Sequence, residues 1–262
     1  MQFCAKFSNF SLFIKYLDSI RDLSEIVQLE CYDESIIIEV MNLTLGTIVH
    51  VKFSLDFFQE YRRFEDPNKN LSFTVNTLVF YELLKMAQKG DIVELSSNDI
   101  DNRLDLVINS PNGASRTFKL NLYSNVAQAR TNFQIASTDN LKFKSNFNIQ
   151  GNELINIGNK MQIFSNVFDL IVDTNYVEFK ITNELISGRV SILIDERHVM
   201  DLKQSCKAKY SCKPIHIFNK TIFDNSKINV KILENNELLL MTDYNENVFL
   251  RFCLVSNVDY LG

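Results

Sequence analysis

Tryptophan is absent from this 262-residue chain, and there are only seven glycines, three prolines and three histidines. So few glycines leave little scope for a backbone cradle around phosphate, and no P-loop, G-x-G-x-x-G, G-x-S-x-G or H-E-x-x-H spacing occurs. The scarcity of glycine and proline also argues against collagen-like, low-complexity or disordered character. The five cysteines (Cys4, Cys31, Cys206, Cys212, Cys253) are odd in number and form no C-x-x-C pair. Neither a disulfide framework nor a zinc knuckle is indicated, and reduced, mostly buried thiols in an intracellular protein are expected. No apolar run reaches the ~18 residues of a membrane span. The segment MQFCAKFSNF has no signal-peptide core or cleavage site, so no membrane partner is expected. His50, His198 and His216 are scattered. Asp99, Asp101 and Asp105 cluster in and beside a turn, where aspartate serves the backbone. No catalytic residue, metal ligand or cofactor is assigned, and an enzyme is not expected.

Hydrophobic content of 46%, charged content of 23% and 21 phenylalanines describe an ordinary globular protein with room for one large or two modest domains. The net charge of −5 disfavours gripping nucleic acid with the whole surface. It leaves open a local basic face on an acidic body, because the field is set patch by patch.

The polar stretch Ser124–Asn140 divides the chain into parts that read alike. It has no sustained period and exceeds the about 12–15 residues usual for a loop inside a compact domain, so it reads as a linker. Its apolar pair Phe133 and Ile135 either rests loosely on the surface or lines a docking groove for a partner peptide. Before it, the spacing predicts a strand at Phe3–Phe7 and a helix over Phe10–Leu23 capped by Asn9 or Ser11. Strands follow at Ile26–Cys31, Ser35–Met41, Thr47–Ser54 and Leu71–Val75. A second helix, Leu78–Lys89, is expected to turn Leu78, Tyr81, Leu83, Leu84 and Ala87 inward and to end at Gly90. Ile92–Ser96, Arg103–Asn109 and Ala114–Leu122 complete the half, the last as an edge strand.

After the linker come a strand (Leu141–Ile149), a helix (Gly151–Phe164), a hairpin (Val167–Val172 with Val177–Ile181) and a strand (Gly188–Ile194). A short helix (Pro214–Phe223) and strands at Lys227–Leu233, Glu237–Met241 and Asn247–Val255 follow. The predicted class is therefore α+β: two similar domains of antiparallel sheets with two helices each, spanning residues 1–123 and 141–262 with the linker 124–140 between. All four helices carry basic residues on or beside their solvent sides: Lys15 and Arg21, Lys85 and Lys89, Lys160, then Lys213, His216 and Lys220. Side by side, these would form a stripe able to meet phosphates without reading bases.

Several segments, in order along most of the chain, resemble the proliferating cell nuclear antigen (PCNA) family of sliding clamps. They are Leu17-Asp18-Ser19-Ile20-Arg21-Asp22-Leu23, Val40-Met41-Asn42, Phe58-x-x-Tyr61-Arg62, Leu83-Leu84-Lys85-x-Ala87 with Asp91-Ile92-Val93-x-Leu95, Ser110-Pro111-Asn112, and Leu250-Arg251-Phe252-Cys253-Leu254-Val255. The resemblance implies the DNA clamp fold, in which a homotrimeric ring encircles duplex DNA with its helices on the concave inner face. It implies a processivity factor that tethers a DNA polymerase and other replication and repair proteins through short peptides and meets a clamp loader. By position, the peptide groove would use Met41, Leu45, Phe133, Ile135, Cys253 and Val255. The subunit contact would use Arg116, Phe118 and Leu120 of one chain against Val190 and Ile192 of the next. Nuclear location, or a cytoplasmic viral replication compartment, would follow. The chain departs from the family pattern at Glu82, where a basic residue is expected, and at Asn236-Glu237, where the groove's usual proline is missing. Such divergence fits a large DNA virus or an outlying eukaryote. The alternatives are a checkpoint-type clamp subunit of a heterotrimer and a monomeric clamp-fold processivity or transcription factor.

Overall fold

The computed structural model describes residues 3–7, 9–64, 71–98, 102–123, 141–195, 198, 200–244 and 246–256. The chain divides by backbone packing into two compact units. The first comprises Met1–Val40, Val49–Phe133 and Asp243–Leu250; the second comprises Met41–Ile48, Gln134–Thr242 and Arg251–Gly262.

The elements before the linker are β1 (Phe3–Phe7), α1 (Phe10–Arg21), β2 (Ile26–Tyr32), β3 (Ser35–Asn42), β4 (Thr47–Ser54), β5 (Glu60–Arg63), β6 (Leu71–Asn76), α2 (Thr77–Leu84), β7 (Ile92–Ser97), β8 (Arg103–Asn109) and β9 (Ser115–Asn121). Five strands form an antiparallel sheet in the order β5-β1-β7-β8-β9, and β2 is flanked by β3 and β6. In α1 the residues Phe10, Phe13, Leu17 and Ile20 recur at three- and four-residue steps and are buried. They meet an aromatic cluster: Phe13 lies 4.8 Å from Phe53 and 5.3 Å from Phe7, ring centre to ring centre. Much of the chain's phenylalanine is spent here, stabilising the unit by buried ring area and edge contacts. Helix α1 stops two residues before the predicted Leu23, because Asp22 and Leu23 bond the carbonyls of Ser19 and Ile20 in a tightened last turn.

Helix α2 departs further from expectation. Asn76 caps it through Val79 N–H at 3.0 Å, as the sequence suggests, but it ends at Leu84 and its buried residues are Thr77, Phe80, Tyr81 and Leu84. Leu78, 55% exposed, points outward. The cause lies in the tertiary structure. Asp91 accepts from Gln88 N–H at 2.9 Å and from the Arg116 guanidinium at 2.7 Å, folding the predicted last turn into a loop. Gly90, at φ +96°, turns the chain within that loop rather than capping the helix.

The second set is β10 (Phe143–Gln150), α3 (Gly151–Phe164), β11 (Val167–Val172), β12 (Tyr176–Thr182), β13 (Ser187–Leu193), β14 (Met200–Leu202), β15 (Cys206–Ser211), α4 (Cys212–Asn219), β16 (Lys227–Leu233), β17 (Leu238–Tyr244) and β18 (Val248–Leu254). One antiparallel sheet runs β13-β12-β11-β15, and β14-β10-β16-β17 follow one another in another. Strands β14 and β15 are absent from the sequence reading; in CKAKYS the alternating lysines mask the inward pair Ala208 and Tyr210. Gln150 and Glu153 form a reciprocal capping box that starts α3. Pro214 sits in the first turn of α4, where its missing donor costs nothing.

The pairings repeat. Strand β1 lies between β5 and β7 as β10 lies between β14 and β16. Strand β2 lies between β3 and β6 as β11 lies between β12 and β15. By this correspondence β4 is the counterpart of β13, and β18 the counterpart of β9.

Candidate functional site: groove, helical faces and open sheet edges

In the second unit Ile48, Leu239 and Cys253 form a small buried cluster, with Met41, Leu141 and Met241 half-buried against it. The cluster lies beside the turn joining β3 and β4. Asn42 Oδ1 accepts from Leu45 N–H at 2.8 Å, Gly46 takes φ +55°, and Val255 N–H donates to Gly46 O at 2.8 Å. A Cβ on Gly46 would lie 3.2 Å from Val255 Cβ, so this close approach needs glycine. Of the residues named for the groove, Cys253 belongs to the cluster and Met41 packs against it. Leu45 is half-buried in the turn, and Val255 is 39% exposed beside it. Phe133 and Ile135 lie outside the described residues. Ile48, Leu141, Leu239 and Met241 were not singled out in sequence, since only strand pairing brings them together.

Glu237 lies against this cluster through Cys253. It is buried and accepts from the Cys253 thiol at 3.8 Å. Burial raises its carboxyl above the ordinary 4.5, outweighing the hydrogen bonds from Asn235 and Cys253 that lower it. Burial also pushes the Cys253 thiol strongly upward, leaving it protonated and inert. The folded chain thus holds the Glu237 proton more tightly than the unfolded chain. Its contribution to stability is complete below the ordinary glutamate value and is lost as pH rises through the raised one. Glu237→Gln should remove that portion of the pH dependence, read from urea midpoints at pH 4 and pH 7.

Of the basic residues of the first unit, Arg21 and Lys85 come together but are not free. Arg21 pairs with Asp18 at 2.8 Å, Asp22 at 3.8 Å and Glu82 at 3.9 Å. Lys85 pairs with Glu82 at 3.5 Å, and both cations lie over the Tyr81 ring, at 4.4 and 5.1 Å from its centre. Lys15 is half-buried on α1, and Lys89 is exposed in the loop after α2. In the second unit α3 and α4 pack closely through Gly158, where a Cβ would lie 2.6 Å from Asn219 Nδ2. Lys160 and Lys213 are exposed, Lys220 is half-buried, and His216 Nδ1 lies 3.2 Å from Asn159 Oδ1. Asn152, Asn156 and Asn159 share the exposed side of α3 with Lys160, a neutral and basic surface.

Strands β9 and β13 are edge strands of their sheets. Ile194 N–H donates to Asn175 O, and the register with β12 alternates from there. The N–H groups of Arg189, Ser191 and Leu193 therefore point away from the sheet. On β9, Leu122 N–H donates to Asn102 O and Ser110 N–H to Ala114 O, which leaves Thr117 and Lys119 N–H pointing outward. Val190 is 41% and Leu193 75% exposed, and Ile192 is half-buried. Leu120 is buried and Phe118 half-buried in their own sheet. Arg116 is committed within its own chain, donating to Met86 O at 2.6 Å and to Asp91 Oδ2 at 2.7 Å. The Gln88 backbone hydrogen bond foremost, then that of Ser110 and the charge and hydrogen bond of Arg116, hold the Asp91 carboxyl below its ordinary value.

Among the described residues no group of three or more His, Cys, Asp or Glu is placed to hold a metal ion, and no helix is long and apolar enough to cross a membrane.

The family model described as the N-terminal domain of proliferating cell nuclear antigen matches residues 2–128. Over 264 residues the chain is 22% identical to proliferating cell nuclear antigen of Chaetomium thermophilum, covering 97% of both chains. Over 267 residues it is 20% identical to that of Dictyostelium discoideum, covering 98% of this chain and 100% of the relative.

Proposed function

We propose that this chain, similar to proliferating cell nuclear antigen over residues 2–128 and, at 20–22% identity, along nearly its whole length, is a divergent, ring-forming sliding clamp of that family. Its domains are residues 1–123 and 141–262, joined by 124–140. Copies associate head to tail around duplex DNA with the helices facing inward, and the ring tethers a DNA polymerase and other replication and repair proteins through the apolar groove. A clamp loader opens it, and it works in the nucleus or in a cytoplasmic viral replication compartment.

One observation carries this reading. Strands β4 and β18 are neighbours in sheet order, tied by Ser54 N–H to Asn247 O and by Val255 N–H to Gly46 O, each bond within one unit. Among the described residues their counterparts β13 and β9 have no such neighbour. Pairing β9 of one copy with β13 of the next would repeat the β18–β4 arrangement and remove both open edges.

The mechanism requires no reacting group. Topological linkage keeps the tethered polymerase at a high effective concentration at the primer end. Lys160, Lys213 and Lys220 supply weak phosphate contacts, and Lys15, Arg21, Lys85, Lys89 and His216 supply the rest. Since Glu82 occupies Arg21 and Lys85, Glu82→Lys should tighten duplex binding. It should steepen the fall of log K with log salt by about one, measured by anisotropy across a salt series. Primer extension with a clamp loader and ATP supplied tests the function: the protein should lengthen products on primed closed circles and have little effect on linear templates, from which it slides off. A heterotrimer subunit would stay monomeric and inactive alone, and a monomeric processivity factor would help equally on both templates.

A further inference from the structure

We propose that the groove selects partner peptides whose apolar anchor is flanked by carboxylates, which Lys203 and Lys231 receive. The inference rests on the groove reading above and adds the chemistry of the partner.

Register fixes the arrangement. On β16 and β17, Lys231 lies opposite Leu239, and Asn229 opposite Met241. Directly opposed residues of an antiparallel pair project from the same sheet face, with Cβ atoms about 5 Å apart. Leu239 belongs to the buried cluster under the groove and Met241 packs against it, so Lys231 stands next to the groove on its own face. One strand further on, Asn146 lies opposite Lys231. Lys203 N–H donates to Lys144 O at 2.9 Å, which brings the chain after β14 alongside β10.

Phe143 then gathers the charge. The Lys203 ammonium lies 4.0 Å and that of Lys231 5.7 Å from the centre of its ring. Two like charges held at one aromatic ring repel each other, and the ring offsets only part of that cost. Among the described residues neither ammonium has a carboxylate partner. Asp201, opposite Asn146 as Lys231 is, shares that face but stands on the far side of β10 and forms no ion pair with either ammonium, and Glu237 is buried against Cys253. In a chain of net charge −5, an unneutralised cation pair beside an apolar groove is a local complement for an acidic peptide. The apolar floor gives affinity, and the cations set which side of the anchor carries acid.

The test is selection of a display library of random dodecapeptides on the full chain, on Met41→Glu and on the double variant Lys203→Gln/Lys231→Gln. Clones that bind the wild type and are lost on Met41→Glu report the groove. The expected result is an apolar cluster with Asp or Glu on one side in those clones. The double variant should keep the apolar cluster and lose the acid bias. A selected peptide with its acids changed to Gln should bind the wild type about fivefold more weakly and the double variant unchanged. Groove-dependent clones with no acid bias, or a bias that survives in the double variant, would overturn the proposal while leaving the groove intact. A library with no Met41-dependent clones would overturn the groove reading and the proposal with it.

Discussion

Thr117→Pro and Ser191→Pro should each convert the assembled protein into single chains, and an equimolar mixture of the two should give a two-copy species. Both positions direct their N–H groups away from their own sheets, at 117 on β9 and 191 on β13. Proline there takes nothing from the chain's own ladder, so each variant should fold. Ser191→Pro also loses the hydroxyl bond to Glu178 Oε2 at 3.2 Å, a modest cost because Arg189 remains 3.6 Å from that oxygen. In the assembly each proline removes a donor and sets its ring against the neighbouring strand. That should weaken the contact by about 3 kcal/mol, roughly a hundredfold. The mixture is the sharper part. Each variant keeps one good edge, Thr117→Pro its β13 and Ser191→Pro its β9. Head-to-tail association therefore permits one contact and then stops. Light scattering reads all three results, and a mixture that stays monomeric or restores the full assembly would count against the edge pairing.

Gly151→Ala should be the most damaging small substitution in the second unit, lowering stability by about 3 kcal/mol. A Cβ there would lie 2.0 Å from Phe223 O, a backbone atom that cannot rotate aside. Nor can the segment recede. Gly151 N–H donates to Ser226 O at 2.7 Å and Asn152 N–H to Asp224 O at 2.9 Å, pinning it to the start of α3. Gly158→Ala meets side chains, Asn219 Nδ2 at 2.6 Å and Ile215 Cγ2 at 2.8 Å, which can give way at the cost of loosening α3 from α4. Gly188→Ala meets only Ile181 Cγ1 at 3.7 Å, ordinary contact. Urea midpoints should therefore fall in the order 151, 158, 188, the last close to wild type.

What could be seen in the sequence followed how local its cause is. Thr47–Ser54, Arg103–Asn109, Val167–Val172 and Lys227–Leu233 have the bounds their alternation suggests, because apolar side chains recur at every second position of each. Helix α3 also matches, since Gly151 and the Gln150–Glu153 box mark its start within four residues. Helix α2 does not, because T-L-V-F-Y-E-L-L is apolar around most of its circumference and period alone cannot choose a face. Its length is set by Arg116, which binds Asp91 from a different strand.

The same distinction governs the site. Met41 and Cys253 were named from family resemblance, whereas Leu239 and Lys231 acquire meaning only once β16 pairs with β17 in a particular register. Arg21 and Lys85 read as free cations in sequence, but Glu82 answers both. No local pattern links Glu82 to Arg21, and only the packing of α1 on α2 does.

The most direct measurement is retention of labelled protein on a loaded circular duplex, in about 0.5 M salt, before and after a single restriction cut. At that ionic strength phosphate contacts are largely screened. A closed ring should stay on the circle and be lost once the cut gives it an end to slide from. Equal retention on cut and uncut DNA, or release from the intact circle by salt alone, would contradict the ring.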